Sequence, residues 1–401
     1  MRSAGAVLVE GPKACGKTET AQRVAATLFR MDTDDGARAL VDTAPEVLLG
    51  ASPPVLFDEW QVEPKLWNLV RHEVDDLGGV PGRFILTGSS TPTDDAKRHT
   101  GAGRYSLLRM RPMSLFEAGV STGQVSLRRL FDGDFTPSLD PGVTVPALVD
   151  CIVTGGWPAL LEVPVREAQR WISDYVRTIV EVDMPHMGVR RDPGTLRRLL
   201  ASLGRGTGTD LSTQAIANDV AGANRSVQRD TVAGYLGILN RLMLTEDLPA
   251  WAPHMRSTTP LRKSPTRFMT DPSLGVAALG VGSGQLLRDL NATGFHFEGL
   301  VVRDLRIYAQ PIGGLLSHWR DNNQHEVDII VTLDDGRWGA LEVKMNPGAV
   351  DAAAASLLRF KNKVDTAKTG EPAFLAIVTT RSAALRRGDG VCVFPVASLG
   401  P

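Results

Sequence analysis

Cysteine is scarce in this sequence. The 401 residues include three cysteines, Cys15, Cys151 and Cys392, which lie far apart and form no C-x-x-C pair. This spacing excludes a zinc ribbon and a disulfide framework, and it is typical of a protein from a reducing compartment. We therefore expect a cytoplasmic location.

Long apolar runs, a leader and an excess of one charge are also missing. No stretch reaches the roughly 18 apolar residues that a membrane-spanning helix needs. The residues after Met1 also do not form the charged and then apolar segments of a leader peptide. We expect a protein that is neither membrane-spanning nor secreted and has no membrane partner. The 44 Lys and Arg balance 45 Asp and Glu to a net charge of −1. Binding to nucleic acid would therefore depend on local basic patches.

The composition that remains is that of a soluble globular protein, with 43% hydrophobic and 22% charged residues. A chain of 401 residues is too long for one ordinary core. It predicts roughly two to four domains.

A phosphate-binding pattern lies near the start of the chain. An apolar strand, Val7–Val9, leads into a stretch that matches G-x-x-x-x-G-K-[ST] at every fixed position, and Thr18–Leu28 can be helical. Glycines at both ends let successive N–H groups point at a nucleotide phosphate. A glycine-rich turn without a ligand is the alternative. The residues predicted to bind ATP are Gly11, Pro12, Lys13, Ala14, Cys15, Gly16, Lys17 and Thr18.

Three of these residues have specific predicted roles. Lys17 would neutralise the β- and γ-phosphates, and the Thr18 hydroxyl would bind Mg²⁺. Cys15 would lie among the N–H groups at a helix N-terminus, where we expect a stabilised thiolate whose alkylation is slowed by Mg·ATP.

A second apolar strand ends in two acids, Asp58 and Glu59. Asp58 would hold Mg²⁺ and Glu59 would polarise the attacking water as the catalytic base. A helix N-cap with acidic residues is the alternative.

Further along, a buried strand from Arg83 ends in small polar residues, of which Thr87 or Ser89 could sense the γ-phosphate, since ligands lie beyond the carboxyl ends of parallel strands. Arg104 precedes the next strand and could reach a phosphate in its own or a neighbouring subunit, with a solvent-facing arginine as an equal alternative. Alternating strands and helices predict a doubly wound α/β domain.

The sequence pattern predicts mostly helices in the middle of the chain. The segment 145–183 carries Trp171, Tyr175, Ile179 and Val182 at helical spacing, and we expect its aromatic residues to pack in the core rather than bind a ligand. Three helices follow, at 196–203, 212–220 and 226–241, and two strand-like pieces at 242–248 and 267–270 could form a wing. This order suits a winged helix, which could serve DNA or a protein partner. The basic residues around it are Arg190, Arg191, Arg197, Arg198, Arg205, Arg225, Arg229, Arg256, Arg262, Lys263 and Arg267.

Acidic residues and a lysine recur in the last block. Asp328 lies in one predicted strand, and the alternation of the next puts Glu342 and Lys344 on one face. Two carboxylates could share a divalent metal, with Glu298 as a third from a helix and Lys344 orienting water. For any one of these residues a surface salt bridge is the alternative.

Seven stretches together resemble a family of prokaryotic ATP-binding proteins that pair an AAA-type P-loop domain with a DUF4143 domain. The stretches are GPKACGKT at Gly11, LFDEWQ at Leu56, FILTGSS at Phe84, GAGRYSLLRMRPMSLFEAG at Gly101, GGWPALLE at Gly155, FEGLVVRDL at Phe297, and HEVDIIV with ALEVK from His325. The resemblance implies an ATPase core, a winged-helix middle and a C-terminal α/β fold similar to the PD-(D/E)XK nucleases. Glu298, Asp328, Glu342 and Lys344 fall on the nuclease motif positions. The sequence departs from the family in having six residues before Val7, which predicts an incomplete adenine pocket or a start further upstream.

The resulting fold prediction is a parallel-sheet AAA-type ATPase domain (1–118), a helical connector (119–188), a winged-helix-like region (189–285) and a nuclease-like domain (286–401). The first functional hypothesis is a Mg²⁺-dependent ATPase that controls a DNA-directed C-terminal domain, with a second divalent metal there. A nucleotide-regulated switch that binds DNA or protein, with an inactive nuclease fold, is the alternative. A homo-oligomer is compatible with both hypotheses, and a small-molecule kinase is disfavoured because no second substrate pocket can be identified.

Overall fold

The computed structural model describes residues 4–88, 101–186, 193–221, 227–253 and 264–401. These residues form two compact units. The first comprises the chain up to Pro112 together with Ile238–Leu244, and the second comprises Met113–Gly237 with Thr245–Pro401. The regions predicted as connector, winged helix and nuclease-like domain thus fall almost entirely in one unit, and the finer division between them remains a prediction.

A parallel sheet is the framework of the first unit. Its strands are β1 (Ala6–Glu10), β2 (Thr27–Arg30), β3 (Val55–Asp58), β4 (Phe84–Gly88) and β5 (Tyr105–Arg109). They lie in the order β2-β3-β4-β1-β5, and every neighbouring pair is parallel. The central strands β3 and β4 are buried on both faces, which explains why they read as continuous apolar runs.

Helices cover both faces of this sheet. They are α1 (Lys17–Gln22), α2 (Asp35–Thr43), α3 (Pro45–Leu49) and α4 (Lys65–Asp76), with a 3₁₀ turn at Trp60–Val62. Side chains that alternate along β1 separate into two clusters, with Leu8 packing on the side of α4 and Val7 and Val9 on the other. Helix α1 is shorter than the predicted Thr18–Leu28, because Thr27 leaves the helical path to pair with Val55 in the sheet.

The strand register brings three strand ends to one edge. Glu10 at the end of β1 lies beside Gly88 at the end of β4, and Asp58 at the end of β3 lies beside Thr87. Because all three strands run in the same direction, the loop after β1 and the residues after β3 and β4 share the carboxyl edge of the sheet. This is the edge at which ligands bind in open α/β sheets.

A six-stranded mixed sheet organises the second unit. Its strands are β7 (Leu315–Arg320), β8 (Glu326–Thr332), β9 (Trp338–Lys344), β10 (Phe374–Thr379), β11 (Leu385–Arg386) and β12 (Cys392–Pro395), in the order β11-β12-β10-β9-β8-β7. Strands β7, β8 and β9 form an antiparallel meander, and β10 is parallel to both β9 and β12. A separate short pair joins β6 (Val125–Ser126) to β13 (Leu399–Gly400).

Two helices pack on opposite faces of the second sheet. These two are α14 (Leu290–Ala309) and α15 (Val350–Lys363), each at the centre of its own apolar cluster. The other helices are α5 (Leu127–Phe131), α6 (Val145–Thr154), α7 (Val165–Thr178), α8 (Met184–His186), α9 (Pro193–Arg205), α10 (Thr213–Ala221), α11 (Arg229–Arg241), α12 (Pro272–Leu279), α13 (Ser283–Leu286) and α16 (Thr366–Thr369). No helix in the described parts of the chain is long and apolar enough to cross a membrane.

The predicted aromatic helix of the middle region ends earlier than its spacing suggested. Helix α7 stops at Thr178 and continues as a π-helical turn, Ile179–Asp183. Trp171 and Tyr175 stack on each other with ring centroids 5.4 Å apart and are partly buried. Val182, which shares the predicted helical spacing, is 43% exposed. The π-turn shifts the helical phase, which carries this residue away from the buried face.

The region predicted as a winged helix contains its three helices, α9, α10 and α11. Isolated antiparallel bridges join Thr245 to Met269 and Leu248 to Thr266, where the wing strands were predicted. The tip of that wing and six of the basic residues (Arg190, Arg191, Arg225, Arg256, Arg262 and Lys263) lie outside the described residues. The winged-helix assignment therefore stays a prediction.

Candidate nucleotide site and C-terminal carboxylate cluster

The loop between β1 and α1 has the tight backbone conformation that the phosphate-binding motif predicts. A Cβ at Gly11 would lie 2.5 Å from the carbonyl oxygen of Met110, so only glycine fits there. Gly16 has a φ of 95°, in the left-handed region that favours glycine, and it directly precedes α1. Both fixed glycines of the motif are thus required by the fold of the loop. Lys13 and Ala14 lie exposed at the tip of the loop.

Lys17 is buried under this loop. Its ammonium group donates to the carbonyl oxygens of Gly11 and Pro12, each at 2.9 Å. Burial lowers the pKa of Lys17, and the nearby acids Cys15, Glu59 and Asp58 oppose that shift. The side chain is therefore held inside the loop by hydrogen bonds to the backbone. In this position its ammonium group is close to where a bound phosphate would lie.

Hydroxyl and carboxylate oxygens meet beside the loop. The Thr18 hydroxyl donates to Asp58 Oδ1 at 2.7 Å, and the Thr87 hydroxyl from β4 donates to the same oxygen. Asp58 is 6% exposed and Thr87 is fully buried. Oxygen donors of this kind are the ligands that Mg²⁺ prefers, so the residues fit the metal that a P-loop implies.

Glu59 follows Asp58 in a left-handed conformation, with a φ of 52°. Its carboxylate accepts a hydrogen bond from the side-chain amide of Gln61 and is close enough to Lys17 to oppose the lowering of the lysine pKa by burial. Motif reasoning did not single out Gln61. The signal that could have found it is its position two residues after the predicted base, in the 3₁₀ turn that directly follows β3.

Cys15 departs from its predicted chemistry. It is 2% exposed, and burial raises the pKa of its thiol although the nearby Lys17 opposes the shift. Loss of hydration thus shifts the thiol pKa in the direction opposite to the expected stabilised thiolate. The thiol instead fills the space beneath Gly11, where a Cβ would come within 2.9 Å of its sulfur.

The remaining predicted contacts of the nucleotide site lie elsewhere. Arg104 precedes β5, at the amino edge of the sheet, and pairs with Asp75 at 2.8 Å. The phosphate loop lies at the opposite edge, so the fold keeps Arg104 away from a phosphate in its own loop. Contact with a neighbouring subunit stays a prediction. Ser89 lies outside the described residues.

A second group of charged residues lies in the other unit. Lys344 on β9 contacts Asp328 Oδ2 at 3.2 Å and Glu342 Oε2 at 2.6 Å. Asp328 Oδ2 also accepts the backbone N–H of Val343 at 2.7 Å. Glu298, on α14, lines a cavity of about 830 Å³ together with Asp328 and Lys344. The four predicted residues are therefore near one another.

Burial governs the protonation of this group. It raises the pKa of Glu342 to about 8, with the nearby Asp328 adding to the shift and Lys344 opposing it. Burial and Asp328 likewise raise the pKa of Glu298 well above its ordinary value. Burial would lower the pKa of Lys344, but the two facing carboxylates outweigh it and raise that pKa.

The predicted second metal site is not found in this arrangement. Among the residues that the structure describes, no group of three or more His, Cys, Asp or Glu is placed to hold a metal ion. Glu298 and Asp328 line one cavity, but the Lys344 ammonium contacts Asp328 and Glu342 and supplies the compensating charge. Reasoning from strand alternation could not foresee this, since it places side chains on faces without fixing their contacts.

Comparison with domain families defines the class of the first unit. Residues 3–119 match the model of an AAA domain, so this region contains an AAA-type domain. Residues 293–399 match a domain of unknown function, DUF4143, and residues 145–285 match another, DUF8612. The resemblance to an AAA domain paired with DUF4143 is thereby confirmed, whereas these matches leave the winged helix and the nuclease-like fold unassigned.

Whole-chain comparisons give more distant similarities. The uncharacterized proteins Rv2008c of Mycobacterium tuberculosis and Mb2031c of Mycobacterium bovis are each 26% identical over 349 residues, which is 86% of this chain and 71% of theirs. Among solved structures, a Walker-type ATPase of Pyrococcus abyssi has a TM-score of 0.37 and 14% identity, covering 69% of this chain and 91% of that one. The Aeropyrum pernix Orc1 protein in complex with DNA has a TM-score of 0.25 and 15% identity, covering 72% and 88%.

Proposed function

We propose that this protein binds Mg·ATP in the loop from Gly11 to Thr18 and hydrolyses it. The observation that carries the proposal is the convergence of the Thr18 and Thr87 hydroxyls on one oxygen of Asp58, directly beside the loop that buries Lys17. The match of this region to an AAA domain supports the same activity.

Each side chain has a role that its position supports. Lys17 would exchange the carbonyls of Gly11 and Pro12 for phosphate oxygens, which offer a full negative charge. Thr18 and Asp58 would hold Mg²⁺, which neutralises charge on the phosphates when bound. Glu59 would accept a hydrogen bond from the attacking water and orient it, and Thr87 would fix the carboxylate of Asp58.

The test is ATP turnover by the full chain, measured as phosphate release in Mg²⁺. We expect slow hydrolysis by the wild type and loss of turnover in Glu59→Gln, which keeps the size of the side chain but cannot act as a base. Glu63→Gln is a matched control from the same turn region and should hydrolyse ATP at the wild-type rate. Wild-type turnover in Glu59→Gln would contradict the assigned role.

A second proposed activity concerns the C-terminal unit, which would act on DNA under the control of the nucleotide. The observation in its favour is that Glu298, Asp328 and Lys344 line one cavity and that Glu342 contacts Lys344. The contacts of Lys344 favour the alternative, in which the unit is a nucleotide-regulated surface for DNA or protein that cuts nothing. In that case the charges near the cavity are structural.

Two assays separate these alternatives. One measures ATP turnover with and without double-stranded DNA, and the other follows end-labelled DNA in Mg²⁺ and Mn²⁺ with wild type, Asp328→Ala and Glu342→Ala. Cleavage by the wild type alone would support the nuclease. Stimulation of turnover by DNA without cleavage would support the switch, and no effect of DNA in either assay would contradict a DNA-directed function.

A further inference from the structure

The 3₁₀ turn after β3 holds Gln61 against the predicted base. The Gln61 Nε2 amide donates to Glu59 Oε2, and Glu59 itself has a φ of 52°, which is uncommon for a residue other than glycine. A backbone conformation of this kind is retained where surrounding contacts fix it, and the side-chain pair is one such contact.

The other end of the Gln61 amide finds no partner among the residues that the structure describes. Gln61 Oε1 is buried and has no hydrogen-bond partner in the described part of the chain. Reversing the amide would place this oxygen against the carboxylate of Glu59, where two acceptors repel each other. The orientation that satisfies Glu59 is therefore kept even though it leaves a buried acceptor without a partner among the described residues.

The end of β4 confines the same amide. A Cβ at Gly88 would lie 2.5 Å from Gln61 Oε1 and 3.2 Å from Trp60 Nε1. Gly88 directly follows Thr87, the residue whose hydroxyl holds Asp58. The absence of a side chain at Gly88 thus leaves room for Gln61 at the edge where the predicted metal and water residues meet.

We propose that Gln61 is a positioning residue for ATP hydrolysis, which holds the carboxylate of Glu59 in the orientation that meets the attacking water. This inference rests on the proposed ATPase function. Its chemistry is a hydrogen bond from a neutral amide to a charged acceptor, which restricts the rotation of the Glu59 side chain without taking its proton-accepting role. Gln61 acts through Glu59 and need not contact the nucleotide.

The test compares steady-state ATP hydrolysis and ATP affinity in the wild type, Gln61→Met and Gly88→Ala. Gln61→Met keeps the length of the side chain and removes the donor, and we expect kcat to fall about tenfold or more while KM and the Kd for ATP change less than about twofold. Gly88→Ala keeps the donor but displaces it, so kcat should fall in the same way. Val62→Ala is the control, since Val62 belongs to the same 3₁₀ turn and is 47% exposed.

The outcomes distinguish this inference from the function on which it rests. If the wild type turns over ATP and Glu59→Gln abolishes the activity, but Gln61→Met keeps the wild-type kcat, the positioning role alone is overturned. The role is also overturned if Gln61→Met loses ATP affinity in proportion to kcat, because the effect is then on the whole loop. A wild type that binds ATP but does not hydrolyse it overturns the proposed hydrolysis together with this inference.

Discussion

At the scale of single residues, burial shifts the pKa of several side chains in the direction opposite to the one that their charged neighbours in the sequence suggest. Cys15 lies near Lys17 and at a helix start, yet burial raises the pKa of its thiol. Glu342 lies beside Lys344, yet burial raises the pKa of its carboxyl group to about 8. Charge neighbours can be read from a sequence, whereas the loss of hydration depends on residues that are distant in the chain.

His296 provides a residue-scale prediction about pH. Burial lowers the pKa of this histidine to about 4 from its ordinary 6.5, and the side chain is 3% exposed. Below pH 6.5 the unfolded chain binds a proton there that the folded protein excludes, so stability falls as the pH drops from 6.5 to about 4. The contribution of this one site is at most about 3–4 kcal/mol.

Urea unfolding of the wild type and His296→Gln between pH 4 and pH 7 would measure this contribution. We expect the unfolding midpoint of the wild type to fall more steeply towards low pH than that of the variant, because glutamine does not titrate. Parallel pH profiles for the two proteins would show that the folded protein accommodates the protonated ring.

At the scale of secondary-structure elements, a buried ionic network fixes α14 within the second unit. Arg303 donates to Asp271 Oδ2 at 2.9 Å and to Asp304 Oδ1 at 2.7 Å, and all three residues are at most 2% exposed. The carboxylates also accept backbone N–H groups, with Gly156 bonding Asp271 and Leu115 bonding Asp304, each at 3.0 Å. Four separate segments of the chain thus meet at one guanidinium.

Replacing Arg303 should be severe. Arg303→Leu leaves two buried carboxylates without their partner, and we expect a loss of about 3–5 kcal/mol of folding free energy. Arg177→Ala is the matched control, because Arg177 forms an exposed pair with Asp174 on α7 and should change stability little. Thermal unfolding followed by circular dichroism would compare the two variants. Equal unfolding midpoints would contradict the predicted contribution of the network to stability.

Element-scale prediction from the sequence succeeded where one local signal was enough. The strands at Val55, Phe84 and Tyr105 and the glycine-bounded loop were predicted from apolar runs and fixed motif positions, and the parallel sheet confirms the predicted α/β framework. The early end of α1 was missed because pairing in the sheet overrides helical propensity. The Arg303 network and the contact between Gln61 and Glu59 could not be predicted, since each depends on the three-dimensional meeting of side chains.

At the scale of the whole molecule, the balanced charge is reflected in the pairing of individual arginines. Arg197 pairs with Glu181, Arg205 with Asp219, and Arg267 with Asp247. These are three of the residues that the sequence offered as a basic patch. Their pairing reduces the positive field available to a phosphate backbone.

The second unit is also predicted to be indivisible at residue 286. Strand β13 at the C-terminus pairs with Val125 and Ser126, and the core under α14 mixes Leu115 and Leu148 with Val331 and Phe394. A fragment containing residues 286–401 loses these partners and exposes their apolar contacts. We expect it to unfold without cooperativity in circular dichroism, whereas the full chain unfolds cooperatively. A sharp unfolding transition in the fragment would show that the predicted boundary marks an autonomous domain.

The central claim is that the loop from Gly11 to Thr18 binds ATP, and calorimetric titration of Mg·ATP into the full chain tests it most directly. The wild type should bind one nucleotide saturably, and Lys17→Ala should abolish the binding, because the variant lacks the buried ammonium group that would meet the phosphates. Circular dichroism should show that the variant remains folded. Binding of ATP by folded Lys17→Ala with the affinity of the wild type would contradict the account.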